Sequence, residues 1–123
     1  MSRLANALVA LVAVEHLGFL VLEMFLWTTP FGMRTFALTP EFAEASAVLA
    51  ANQGLYNGFL AAGLVFGLVR RRDGRATQAF FLACVVVAGV FGALTAKPSI
   101  LFAQAVPAAV ALALVLRVRG REA

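Results

Sequence analysis

Hydrophobic residues along this chain form four long stretches separated by polar links. The stretches run over Leu4–Trp27, Leu49–Val69, Thr77–Thr95 and Ser99–Leu116. A helix needs about 20 mainly apolar residues to cross a bilayer, and none of the stretches alternates as the strands of a membrane barrel do. The pattern therefore predicts an all-α membrane protein. We expect a four-transmembrane-helix up-down-up-down bundle that makes residues 1–123 a single integral membrane domain.

The first link is the longest of the three. Its segment Thr29–Gly32 is typical of a turn, since proline presets φ and glycine permits unusual backbone angles. Thr39, Pro40 and Glu41 together are typical of a helix start, with the threonine as N-cap, the proline at the first helical position and the acid in the first turn. We expect one helix from Pro40 to Val69, whose first part lies at or beyond the membrane surface.

The other two links, residues 70–75 and 96–99, are short and predict tight turns between antiparallel helices. Pro107 lies inside the fourth stretch and predicts a kink there. Small residues at four-residue spacing in the second stretch predict a close helix contact, within the chain or in a dimer. These residues are Ala50, Gly54, Gly58 and Ala62.

The composition fits lipid better than water. Hydrophobic residues make up 63% of the chain and charged residues 13%, against about 45–50% and about 25% in soluble domains. Eight of the ten basic residues would fall on one side of a four-span bundle, with only Arg34 and Lys97 on the other. The positive-inside rule then predicts that both termini are cytoplasmic.

This arrangement also argues against other interpretations. The net charge of +4 comes from arginines at helix ends, without the interleaved aromatic residues of single-strand binders, so we expect no nucleic acid partner. The first stretch is longer than the apolar core of a signal peptide and is interrupted by Glu15 and His16, so we expect a membrane span and not a cleaved signal peptide. Cys84 is the only cysteine, so it has no partner for a disulfide within the chain.

Ionisable residues inside the first stretch are the strongest functional signal. Glu15, His16 and Glu23 interrupt it, and a charged group at the centre of a bilayer costs at least about 2.5–3.5 kcal/mol on insertion scales. Helical geometry places His16 and Glu23 within about 20° of one face and roughly 10 Å apart. Trp27 lies about one turn beyond Glu23.

Polar residues of two other stretches occupy the same predicted depth, from the bilayer centre to its external side. They are Asn52, Gln53, Tyr56 and Asn57 in the second stretch and Gln104 in the fourth. We expect these five residues to form one ligand-binding site with Glu15, His16, Glu23 and Trp27. The alternative is that they only hydrogen-bond helices together, at about 0.6 kcal/mol each.

The chemistry of the predicted site stays open. His16 with Glu15 or Glu23 could relay a proton, or could bind a cationic or hydrogen-bonding molecule, and these three are the candidates for catalytic residues. There is no second histidine and no recognised metal-ligand spacing, so we expect no metal and no cofactor.

The polar motifs resemble a known family. Glu15-His16, the run from Glu23 to Trp27 and the run Ala51–Ala61 are similar to those of the domain of unknown function 1304, a family of small bacterial and fungal membrane proteins. The segments 92–95 and 104–108 also fit its pattern. The resemblance implies a four-helix membrane protein and no particular activity. We expect the protein to lie in the bacterial inner (cytoplasmic) membrane.

Three functions are compatible with these residues. The first is binding or transport of a small hydrophobic or cationic molecule, with proton coupling and a homodimer to complete the path, as in small multidrug exporters. The second is an intramembrane enzyme of proton-transfer or isomerase type acting on a lipid, quinone or isoprenoid. The third is a structural accessory subunit in which the polar residues only pack helices.

Overall fold

The structure is a computed structural model that describes residues 2–70 and 72–122, with residues 119–122 described by their backbone only. Arg71 and the side chains of Arg119 and Arg121, which enter the predicted charge distribution, lie outside the described part. The described residues form helices and no strands. The helices are α1 (Arg3–Met24), α2 (Pro30–Phe36), α3 (Pro40–Val69), α4 (Gly74–Thr95), a π-helical segment (Leu101–Ala105) and α5 (Val106–Glu122).

Three stretches of helix within the described residues are long and apolar enough to cross a membrane, and not the four predicted. They are Arg3–Met24, Gly74–Thr95 and Leu101–Val118. The predicted second span lies in α3, which has 30 residues and so is long enough. Its middle carries Asn52, Gln53 and Asn57, and these three amides lower the hydropathy of any membrane-length window that contains them. The helices indicate a membrane protein, but the composition of α3 is not apolar enough for a membrane span.

The helix predicted from Pro40 to Val69 is confirmed as one continuous α3. Thr39 caps it, because the Thr39 hydroxyl oxygen accepts a hydrogen bond of 3.2 Å from the backbone N–H of Phe42. The preceding link differs from the prediction. Thr29–Gly32 is the start of the seven-residue helix α2, in which the Thr29 hydroxyl accepts from the backbone N–H of Gly32. Proline at the first helical position favours this helix over an isolated turn.

The chain forms two compact units. The central unit comprises Val14–Ala61, and the terminal unit comprises Met1–Ala13 together with Ala62–Ala123. In the central unit, the second half of α1 and the first part of α3 run antiparallel, since Leu20 faces Gly58 and Met24 faces Gly54. A Cβ atom on Gly54 would lie only 2.7 Å from Cγ of Met24. Gly54 and Gly58 therefore make close helix contacts within the chain.

In the terminal unit, α3 and α4 form a tight helical hairpin, as predicted for residues 70–75. The guanidinium of Arg70 donates to the carboxylate of Asp73 twice, over 2.8 Å from Nε and 2.6 Å from Nη2. These hydrogen bonds lower the pKa of the Asp73 carboxyl and raise the pKa of the Arg70 guanidinium. Both side chains are exposed, so the pair contributes little to stability and mainly fixes the turn.

The π-helical segment stands where the sequence predicts a kink at Pro107. Its last hydrogen bond runs from the backbone N–H of Val106 to the carbonyl of Leu101, one residue longer than in an α-helix. Proline has no N–H to donate, so α-helical bonding is interrupted at this point of the chain. The π-helical segment and the residue before it run antiparallel to α4, because Gly89 lies against Ala105 and Gly92 lies against Ile100.

Candidate functional site

The central unit joins one carboxylate of α1 to one amide of α3. Nδ2 of Asn57 donates a hydrogen bond of 2.6 Å to Oε1 of Glu23. Asn57 is only 6% exposed, and Glu23 is half-buried. A hydrogen bond to an ionised carboxylate is about twice as strong as one between neutral groups. Gly54 and Gly58 bring the two helices close enough for these short side chains to meet.

His16 is the most deeply buried polar residue of the central unit. Its side chain is 0% exposed, and its ring meets the ring of Phe19 edge to face at 5.3 Å between centroids. It lies two turns before Glu23 on the same side of α1. His16 is therefore a buried polar side chain on the same helix face as the Glu23 carboxylate.

Glu15 carries the least expected feature of the site. One of its carboxylate oxygens, Oε1, is buried and has no hydrogen-bond partner within the described part of the chain. A carboxylate oxygen is an acceptor, and leaving a buried polar group without a partner costs about 1–3 kcal/mol or more if it is charged. Such groups are rare in proteins and call for a physical explanation.

Trp27 lies just past the end of α1 and is fixed by residues on both sides. Its indole N–H donates to the hydroxyl of Ser46 over 3.0 Å, and its ring packs on Phe36 at 4.9 Å between centroids. Ser46 in turn donates to the carbonyl of Phe42. Sequence reasoning missed Ser46, because no spacing rule says how far an indole beyond a helix end will reach.

Four other predicted site residues take no part in the Glu23–Asn57 hydrogen bond. Asn52, Gln53 and Tyr56 are exposed on α3, and Tyr56 packs edge to face on Phe59. Gln104 belongs to the terminal unit, where it is half-buried in the π-helical segment. The residues that the central unit offers for a site are therefore Glu15, His16, Glu23 and Asn57, which we call the polar set.

A buried amide in the terminal unit was also missed. Gln78 is 1% exposed, and its Nε2 donates to the carbonyl of Gly67 over 3.0 Å. This bond satisfies a carbonyl near the end of α3 that has lost its helical partner. Gln78 lies one turn into α4, next to the short link between α3 and α4. Its position beside this link is the sequence signal that could have predicted a hydrogen bond to the end of α3. No group of three metal-binding side chains occurs among the residues the structure describes.

Comparison with known proteins places the chain in a family. The family model described as "Protein of unknown function (DUF1304)" matches residues 10–116. The chain belongs to this family. A relative, the uncharacterized protein YpaA of Lactococcus lactis subsp. lactis (strain IL1403), is 30% identical over 106 residues, which are 85% of this chain and 89% of YpaA. No solved structure matches the chain.

The match confirms the resemblance drawn from the polar motifs. Residues 10–116 contain the whole polar set as well as Trp27 and Gln104. The DUF1304 description and the name of YpaA carry no activity. The function of this family member has to be argued from its own side chains.

Proposed function

We propose that this protein binds a small hydrophobic molecule that bears a positive charge or N–H donors, at the carboxylates of α1 in the membrane. The observation that carries the proposal is the buried Oε1 of Glu15, which lacks a donor within the described residues. Glu23 already receives a donor from Asn57. A ligand with an ammonium or amine group would supply the donor that Glu15 lacks and would offset its charge.

The proposal extends to the topology. We propose that α3 crosses the membrane as a fourth span, although its amides weaken its hydropathy. One of those amides, Asn57, is buried and hydrogen-bonded to Glu23, which removes most of its insertion cost. Both termini would then be cytoplasmic, in a bacterial inner membrane. Four spans are few for a transport path, so a transport function would require a homodimer.

Cysteine labelling tests this topology. In a Cys84→Ala background, single cysteines at Glu41, Asp73 and Lys97 report the start of α3, the α3–α4 turn and the residues after α4. With a membrane-impermeant maleimide on intact cells, we expect Glu41→Cys and Lys97→Cys to label and Asp73→Cys to label only after permeabilisation. Labelling of Glu41→Cys and Asp73→Cys from the same side would show that α3 does not cross.

Ligand binding is tested with two probes on the purified protein. Tetraphenylphosphonium is a hydrophobic cation without N–H donors, and dodecylamine is a hydrophobic primary amine. We expect the amine to bind more tightly, and Glu15→Gln to weaken it at least tenfold, because a hydrogen bond to a charged group contributes about 1.5–3 kcal/mol. Binding should weaken as the pH falls, since protons compete with the cation for the carboxylates.

The matched control is Glu41→Gln, because Glu41 is also acidic but is exposed at the start of α3, outside the polar set. It should leave both affinities unchanged. Equal affinities of both probes for the wild-type protein, Glu15→Gln and Glu23→Gln would rule out binding at these carboxylates.

A purely structural role is the second candidate, and the Glu23–Asn57 hydrogen bond favours it. This bond links α1 and α3 inside the central unit without any ligand. The two candidates differ at Glu15, whose Oε1 bonds to no described residue and would have no function in helix packing.

A further inference from the structure

Basic residues gather at one end of the terminal unit. Because α4 and the helix that follows it are antiparallel, the start of α4 at Gly74 and the last turns of α5 lie at the same end. Ser2 and Arg117 line one cavity, which brings the start of α1 to that end as well. Helix ends of this kind lie at the depth of lipid headgroups when the helices span a membrane.

Arg70 at this end is already neutralised. Its guanidinium is paired with Asp73 and lies over the ring of Phe66, 5.3 Å from the ring centroid. No ion pair joins Arg117 to a carboxylate of the described residues, whereas Arg70 pairs with Asp73. Arg117 is exposed, so its charge is available to a ligand.

The cavity beside Arg117 has two kinds of wall. It measures about 230 Å³ and is lined by Ser2, Leu114, Arg117 and Val118. The guanidinium of arginine matches the geometry of phosphate oxygens, and a hydroxyl can donate to the same group. Leu114 and Val118 provide an apolar wall, which fits the glycerol and first acyl carbons of a lipid better than it fits a free ion.

We propose that this cavity binds a phosphate group, and that its source is the headgroup of an anionic membrane lipid. Arg117 holds the phosphate and Ser2 borders it. It is made of other side chains than the polar set, which belongs to the central unit and consists of two carboxylates, an imidazole and an amide. It would anchor the basic end of the terminal unit in a leaflet rich in anionic lipid.

Native mass spectrometry of the full chain tests the proposal. The detergent-solubilised protein is mixed with phosphatidylglycerol or with phosphatidylcholine, and the lipid retained per protein is counted. We expect preferential retention of phosphatidylglycerol and at least fivefold weaker retention by Arg117→Gln, the fold-change that corresponds to about 1 kcal/mol per arginine. Arg117→Lys should keep part of the preference, because it keeps the charge but loses the planar fork.

Arg34→Gln is the matched control. Arg34 is also exposed and also borders a cavity, but that cavity lies in the central unit and its other walls are Pro30, Met33, Leu38 and Pro40. Equal losses of phosphatidylglycerol retention in Arg34→Gln and Arg117→Gln would mean that retention depends only on general surface charge. This result would overturn the proposal. So would unchanged retention in an Arg117→Gln protein that melts at the wild-type temperature.

A second arm separates the two sources of phosphate. Inorganic phosphate and glycerol 3-phosphate are added to the protein without lipid, and the midpoint of thermal unfolding is measured. The lipid assignment predicts no shift at millimolar concentrations. A stabilising shift that Arg117→Gln abolishes, without any lipid preference, would overturn the lipid source and assign the cavity to a soluble phosphate.

Discussion

Replacing Gly89 with alanine is expected to destabilise the protein, even though alanine is the better helix former by about 1 kcal/mol. A Cβ atom at position 89 would lie 2.7 Å from both Cβ and the backbone nitrogen of Ala105 and 2.9 Å from its Cα. Two of these atoms are backbone and the third is a Cβ fixed to it, so none of them can rotate away as the end of a flexible side chain could. Either α4 or the π-helical segment has to move, and overpacking of this kind costs about 1–3 kcal/mol.

Two other glycines make a graded control series for this prediction. A Cβ on Gly18 would have no atom within 4 Å, and a Cβ on Gly92 would lie 3.1 Å from Cγ2 of Ile100, which belongs to a side chain. The midpoint of thermal unfolding should stay level or rise in Gly18→Ala, change little in Gly92→Ala and fall by several degrees in Gly89→Ala. Equal midpoints in Gly18→Ala and Gly89→Ala would mean that α4 and the segment do not touch at this point.

The positions of the helices follow closely from hydrophobic length. The predicted stretch Leu4–Trp27 is the helix Arg3–Met24, and the predicted Thr77–Thr95 is the last part of Gly74–Thr95. The Thr-Pro start of α3 was visible because a cap and a proline act locally. The sequence could not show whether Thr29–Gly32 forms an isolated turn or begins the helix α2, because both structures start with the same residues.

The site is less predictable than the fold, because its contacts depend on the register between helices. Asn52, Gln53 and Asn57 were equivalent as amides of one stretch. The approach of Gly54 and Gly58 to α1 turns Asn57 toward Glu23 and leaves Asn52 and Gln53 exposed. The predicted site of nine residues depends on a register between helices that no single stretch encodes, and it stays a prediction. Gln104 belongs to the terminal unit, and its part in the site stays a prediction.

A double-mutant cycle at Glu23 and Asn57 measures the coupling free energy between the two side chains, which depends on the register of α1 and α3. We expect this coupling to be strong. Asn57→Leu leaves the Glu23 carboxylate without its donor, and Glu23→Leu leaves a buried amide without its acceptor. Each single substitution should lower the free energy of unfolding by about 1–3 kcal/mol. The double substitution should cost less than the sum of the two, because neither polar group is then left behind.

The size of the coupling decides what the pair does. Hydrogen bonds between membrane helices average about 0.6 kcal/mol and reach about 1.7 kcal/mol, and we expect the upper part of this range because the 2.6 Å bond involves a carboxylate. The measurement is unfolding in bicelles by a denaturing detergent, with Glu23→Leu and Asn52→Leu as the control cycle, since Asn52 is exposed on the same helix. Additive losses at Glu23 and Asn57 would refute the contact. A double variant as stable as the wild type that still binds dodecylamine would assign Glu23 to helix pairing and leave Glu15 as the carboxylate that holds the ligand.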